Sequence, residues 1–167
     1  MKRILIVYYS RTGFTRRIAK EIAGAFDCEI EEIREFGGRS GALGLLRSVF
    51  QAATNRTARL KPMMSDPASF DLVVIGSPVW VGHIAAPVRA YMNQHQAKIK
   101  AMAFVCTYRG AGWENALRDM RALAGRWPVA TLALTNGEIT EGAYKEKLQK
   151  YIHRLSDHIA LRLKAVA

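Results

Sequence analysis

Residues 4–15 read Ile4-Leu5-Ile6-Val7-Tyr8-Tyr9-Ser10-Arg11-Thr12-Gly13-Phe14-Thr15. The apolar half, largely β-branched and aromatic, suits a central parallel strand buried on both faces. It runs into a hydroxyl-rich turn, and a helix is predicted to begin near Phe14. Ser10, Thr12 and Thr15 bring three hydroxyls to a helix N-terminus, where backbone N–H groups lack intrahelical partners. A corner of this kind holds a dianionic phosphate through N–H groups, hydroxyls and the positive end of the helix dipole. The spacing S-x-T-G-x-T is not a P-loop, because no Gly-Lys-Ser/Thr follows, and it has one glycine where G-x-G-x-x-G needs three. The plainer alternative is a βα turn capped by Ser or Thr.

Working outward, 167 residues with half of them apolar point to a single domain with a substantial core. The apolar runs fall far short of the roughly 20 residues a membrane span needs. Met1-Lys2-Arg3 and the run behind it lack a small-residue cleavage site, so the run reads as a strand rather than a signal peptide. Cys28 and Cys106 stand far apart, without a C-x-x-C partner or metal spacing. They read as small core residues of a reducing compartment, which makes the cytoplasm the expected address and gives no metal site. The net charge of +11 fits nucleic acid, an anionic membrane surface, an acidic partner protein or simply a soluble basic surface. No compact basic block or nucleic-acid module motif accompanies it, so no specific nucleic-acid partner is expected.

Phe14, Ile18, Ile22 and Phe26 mark one face of a first helix, and residues 28–33 alternate as a half-exposed second strand. Gly37-Gly38 breaks that strand. Leu43, Leu46, Phe50 and Ala53 repeat at helical spacing within a stretch carrying Arg39, Arg47, Arg56, Arg59 and Lys61 and no acid. This is a short surface helix with a long connector, or a basic amphipathic segment in weak contact with a membrane surface or a partner. Residues 70–75 form a buried third strand closed by Gly76-Ser77-Pro78, with Trp80 on the turn that follows and Pro87 in the first turn of the next helix. Residues 101–107 are a fourth strand, 113–123 a helix, 127–134 a fifth strand and 144–166 a last helix. Strands alternating with helices predict an α/β fold, a doubly wound parallel sheet of five strands flanked by helices, over residues 1–167 as one domain.

In open α/β sheets ligands collect outside the carboxyl ends of the strands. The loops after strands one, three and four are unusual in composition. One offers hydroxyls, one offers Trp80, and one offers Tyr108, Arg109 and two glycines that admit close backbone approach. A phosphate corner beside aromatic loops suits a planar heteroaromatic that carries a phosphate.

The first loop, with Gly76-Ser77-Pro78-Val79-Trp80-Val81-Gly82 and with Pro87 and Tyr91 beyond, resembles the flavin loops of the flavodoxin family, and the likeness extends over nearly the whole chain. The resemblance implies FMN as cofactor, with Ser10, Arg11, Thr12, Gly13, Phe14 and Thr15 at its phosphate. It implies Pro78, Val79, Trp80, Val81 and Gly82 at the isoalloxazine, the indole stacking on or edging the ring and the Val81-Gly82 peptide facing N5. Thr107, Tyr108, Arg109 and Gly110 would follow the pyrimidine edge. The fifth strand has no long interruption before Thr135, which is the short-chain pattern. Electron carriers of the family are generally acidic near the flavin, whereas this chain is basic and has Arg109 in the third loop. Gly82-His83 resembles the flavodoxin-like protoporphyrinogen oxidase that uses menaquinone, so His83 is either a proton donor near the flavin or a solvent-facing loop histidine.

Three functions follow as expectations. One is an FMN-binding electron carrier serving redox partner proteins, including one with an acidic docking face. Another is an FMN-dependent oxidoreductase linked to NAD(P)H or to a quinone-like small molecule, although no second phosphate fingerprint for a pyridine nucleotide is present. The third is a receiver-like or nucleic-acid module, against which Ser10-Arg11 stand where a receiver places acids.

Overall fold

The computed structural model describes residues 3–36 and 58–164. The periodicity at Leu43, Leu46, Phe50 and Ala53 and the break at Gly37-Gly38 lie outside them. The five-residue apolar run forms β1 (Ile4–Tyr8), and every one of its residues is buried. Leu5, Ile6 and Val7 are fully enclosed. Each such side chain stabilises the fold by roughly 1.5–3 kcal/mol relative to exposure. α1 (Phe14–Phe26) follows, turning Ile18 and Ile22 inward. β2 (Glu29–Glu32) is short and half-exposed. β1 lies between β2 and β3 (Leu72–Trp80), parallel to both, with Ile6 level with Ile30 and Val74.

After β3 come β4 (His83–Ile84), α2 (Ala86–His95), β5 (Met102–Tyr108), α3 (Trp113–Ala124), β6 (Thr131–Thr135), α4 (Asn136–Glu141) and α5 (Lys145–Lys164). The sheet runs β2-β1-β3-β5-β6, with β4 pairing only with β3. All long pairings are parallel. Successive side chains point to opposite faces. Ile6, Val74 and Val105 therefore meet Ile18 and Ile22 of α1 and Leu148 and Leu155 of α5. Val7, Ile75 and Phe104 meet Val88 and Met92 of α2 and Ala116 and Met120 of α3. The expected doubly wound architecture is the one observed, with the order reversing between β1 and β3.

The largest differences from expectation are two strand boundaries and one added helix. β3 does not stop at Gly76-Ser77-Pro78 but continues to Trp80 and folds back as β4. Pairing with β1 ends at Tyr8 and Gly76, and Tyr9 N–H donates to the Gly76 carbonyl. The backbone of residue 78 therefore faces the side that β1 has vacated, and the missing N–H of Pro78 interrupts no ladder. The sheet accordingly has six strands rather than five, the extra one being this short antiparallel addition. The last strand begins at Thr131, not at residue 127. Trp127 is 77% exposed, and the Arg121 guanidinium lies 4.1 Å from its ring centre. α4 was not expected, although Thr135 and Glu138 form a complete capping box at its start.

Candidate functional site at the carboxyl end of the sheet

The loop after β1 turns at Gly13, whose φ of 92° is left-handed and which occupies the N-cap of α1. No side chain caps this helix, and its first turn carries no acid. The alternative of a Ser- or Thr-capped turn is thus not what is found, and the Ser10 hydroxyl instead accepts from the Gly13 N–H at 3.1 Å. The helix start keeps N–H groups and partial positive charge available for an anion. Thr12 is exposed there, Arg11 and Phe14 are half-buried and Ser10 is buried. Thr15 differs from them. It is 2% exposed, and its hydroxyl is 2.8 Å from that of Thr107. Its hydroxyl therefore joins the first loop to the end of β5, where the second buried threonine waits.

The second loop is a hairpin. Val79 pairs with Ile84 and Trp80 with His83, leaving Val81 and Gly82 as the two-residue connection. Both have positive φ, 51° and 76°. That is the signature of a type I′ turn. A β-branched residue in this conformation is strained. Val81 is also 66% exposed. The hairpin base is tied by Ser77, whose hydroxyl donates to the Pro78 carbonyl at 2.9 Å and accepts from the Ala85 N–H at 3.0 Å. Trp80 is not held outside the sheet as expected. It ends β3 half-buried, edge-on to Tyr9 with ring centres 5.8 Å apart. Pro78 is buried within the strand and Val79 half-buried.

In the third loop Tyr108 stacks on Trp113, and Arg109 and Gly110 are exposed. Burial, with help from Glu138, pushes the Tyr108 phenol above its ordinary value. Gly112 was expected to admit a ligand, but its backbone lies against the hairpin. A Cβ there would sit 2.6 Å from the Gly82 Cα. The three loops are thus fastened pairwise through Thr15–Thr107, Tyr9–Trp80 and Gly82–Gly112.

A polar cluster that sequence reading did not find lies beside the hairpin. Asp119 of α3 accepts from the Arg89 guanidinium at 2.8 Å and lies 2.9 Å from His83 Nδ1 on the same oxygen. Arg89 is 8% exposed, so its charge needs this carboxylate. A carboxylate only accepts, which places the Nδ1 proton on His83 and leaves Nε2 as the imidazole's other hydrogen-bonding atom. His83 is therefore an anchored strand residue rather than a loop histidine. Among the described residues no group of three or more His, Cys, Asp and Glu side chains is placed to hold a metal.

No family model matches the chain, and no curated protein does. Solved structures do. A flavoprotein from Lactobacillus acidophilus NCFM, crystallised in complex with FMN, is 23% identical with a TM-score of 0.66, over 84% of this chain and 98% of that one. A Bacteroides uniformis flavoprotein is 21% identical with a TM-score of 0.76, over 91% and 98%. An NADH:FMN oxidoreductase in its apo form is 15% identical with a TM-score of 0.61, over 93% and 90%. At these identities the likeness shows the fold, which is flavodoxin-like.

Proposed function

We propose that this protein binds FMN across its three fastened loops and works as a flavodoxin-like redox protein. The observation that carries the reading is the conjunction of an uncapped, acid-free helix start at Gly13 with an exposed, strained Val81-Gly82 turn on the adjoining strand. Strain of this kind is retained at ligand clamps. The residues present fit the cofactor. Ser10, Thr12 and the N–H groups of the α1 start would hold its phosphate, with Arg11 adding charge. Trp80, Val81 and Gly82 would border the ring system, and Tyr108, Arg109 and Gly110 its polar edge. Thr15 and Thr107 act as positioning residues that lock two of these loops together. Bound FMN would supply one- and two-electron chemistry that no side chain here offers.

Transfer of electrons between protein partners in the cytoplasm is the function this reading favours. The basic surface suits an acidic docking face on such a partner or contact with an anionic membrane surface. Among the described residues no helix is long and apolar enough to cross a membrane. The second reading is an FMN-dependent oxidoreductase acting on a quinone-like molecule or NAD(P)H. The anchored His83 favours it, because Asp119 and Arg89 fix an imidazole beside the hairpin, as a proton-delivering group requires. The experiment is direct. FMN added to the purified chain should bind tightly with a perturbed flavin spectrum, and riboflavin, which has no phosphate, should bind far more weakly. Equal affinities would remove the phosphate corner from the proposal. NAD(P)H consumption with a quinone acceptor, and its loss in His83→Ala, would then select the oxidoreductase over the carrier.

A further inference from the structure

The amino ends of the strands lie opposite the three-loop site and carry a different chemistry. Arg3 precedes β1; its guanidinium sits 5.5 Å from the Phe70 ring centre, and its N–H donates to Asp71, the residue before β3. Asp71 in turn pairs with Lys100, ahead of β5, at 3.8 Å. Arg126, ahead of β6, donates to the Ile99 carbonyl at 2.9 Å and the Lys100 carbonyl at 3.4 Å. These contacts follow the sheet order β1-β3-β5-β6, so the residues form one continuous row. With strands about 4.8 Å apart, the row is roughly 15 Å long.

Arg3, Lys98, Lys100 and Arg126 are all exposed. The carboxylate within the row, Asp71, is already engaged by Lys100 and by the Arg3 N–H. The row ends on Trp127. Its indole is 77% exposed, with the Arg121 guanidinium 4.1 Å from its ring centre. An amphipathic ring flanked by cations is the pattern that seats a protein at the headgroup level of an anionic bilayer, where each Lys or Arg adds to the attraction. A single-stranded nucleic acid is held instead by successive aromatic platforms along a basic groove. Among the described residues this row offers one indole, at its end.

We propose that the amino end of the sheet is a docking face for an anionic membrane surface, with the Trp127 ring at headgroup depth and Arg3, Lys98, Lys100 and Arg126 against lipid phosphates. β5 runs seven residues from this face toward the third loop, about 23 Å at ~3.3 Å per residue. The three loops therefore point away from the bilayer and stay open to a partner in solution. The docking face does not depend on FMN, because it uses no residue of that site.

The test is co-sedimentation of the full chain, with and without FMN, using phosphatidylcholine vesicles that contain phosphatidylglycerol and vesicles of phosphatidylcholine alone. Binding should require phosphatidylglycerol and fall as salt rises. Lys98→Gln and Lys100→Gln should each weaken it about fivefold. Lys145→Gln should not, because that exposed cation starts α5 at the other end of the sheet, beside the Lys147–Glu138 pair. Trp127→Ala should weaken binding severalfold and abolish the blue shift of tryptophan emission that the vesicles produce. Equal binding to both vesicle types, an equal loss in Lys145→Gln, unchanged binding in Trp127→Ala, or no binding at all would each overturn the proposal. A labelled oligonucleotide held through Trp127 by a protein that ignores the vesicles would assign the face to nucleic acid and overturn it as well. FMN affinity, read separately by the spectral titration, should be the same on vesicles as in solution, and its loss on vesicles would put the loops against the bilayer and overturn the orientation.

Discussion

Gly112 and Gly82 meet backbone to backbone, at a distance where a single methyl group on Gly112 would lie 2.6 Å from the Gly82 Cα. Gly112 also holds a φ of 93°, a conformation that glycine alone adopts without cost. Gly112→Ala is therefore expected to push the Val81-Gly82 turn away and to weaken FMN binding strongly. Strained backbone of this type costs about 1–3 kcal/mol, so the melting temperature should fall as well. Gly110, two residues earlier, has open space where a Cβ would go. Gly110→Ala should leave stability almost unchanged. Thermal unfolding of the two variants, with FMN titrations alongside, checks the contrast.

The hydroxyl pair of Thr15 and Thr107 gives a second prediction. Thr15→Val keeps the shape and strands the Thr107 hydroxyl in a buried site, at about 1–3 kcal/mol. Removing both hydroxyls, in Thr15→Val with Thr107→Val, should recover part of that loss. Such non-additivity is the mark of a direct contact. Thr12 is exposed, so Thr12→Ala should leave unfolding unchanged while reducing FMN affinity roughly ten- to hundredfold through a lost bond to phosphate. A Thr12→Ala variant with normal FMN affinity would take that hydroxyl out of the site.

Much of this arrangement was legible because local pattern and tertiary role agree. The apolar run at 4–8 can only be an interior strand, and Ile18 and Ile22 recur at the spacing of a buried helix face. The loops after β1, β3 and β5 announced themselves by composition. Pro78 misled for a physical reason. Whether a strand tolerates proline depends on which side its N–H faces and whether a neighbour is still there, and neither is local information. Asp119 and Arg89 are 30 positions apart and meet only because α2 and α3 share a face of the sheet. The α4 start was legible, since Thr135-Asn136-Gly137-Glu138 has capping-box spacing, but Gly137 obscured it as a helix.

That capping box sets a pH dependence. Glu138 is held below the ordinary carboxylate range, first by Lys147 and then by the Thr135 N–H. A carboxylate with a depressed folded pKa stabilises the protein above its unfolded value and loses that contribution as pH falls through the folded one. Stability should thus decline below about pH 4.5, the unperturbed value. Glu138→Gln should flatten that part of the curve while lowering the plateau at neutral pH. Urea unfolding midpoints from pH 3 to 7 for both proteins provide the measurement, and identical acid limbs would show that other carboxylates dominate.

Asp119 is the shared acceptor of a buried arginine and a histidine, so its removal should be felt twice. Asp119→Asn keeps the size and leaves the Arg89 charge without its counterion. Arg89 is nearly enclosed while the Asp119 side chain is 26% exposed. Water reaches the pair from one side, and a loss of about 1–3 kcal/mol is expected rather than the larger cost of a fully buried break. His83→Ala should cost much less, since the imidazole is more exposed and Arg89 keeps its partner. Chemical denaturation ranks the two, and equal losses would mean that the histidine carries the cluster.

The exposed Arg109 bears on the potential of the proposed cofactor. A positive charge near the polar edge of reduced flavin favours its anionic form and raises the potential. A unit charge ~8 Å from such an anion contributes about 2 kcal/mol at an effective dielectric of ~20, but only about 0.5 kcal/mol at the value of bulk water. With a scale of 59 mV per tenfold for one electron, the two limits are roughly 90 mV and 20 mV. Because the structure leaves the Arg109 side chain at the surface, the lower part of that range is expected. Arg109→Ala should lower the midpoint by about 20–40 mV at low ionic strength, and raising the salt should shrink the difference, since exposed charges are screened beyond about 10 Å at 0.1 M. Spectroelectrochemistry of both proteins at two salt concentrations reads this directly. A midpoint that does not move at low salt would place Arg109 outside the electrostatic reach of the redox centre.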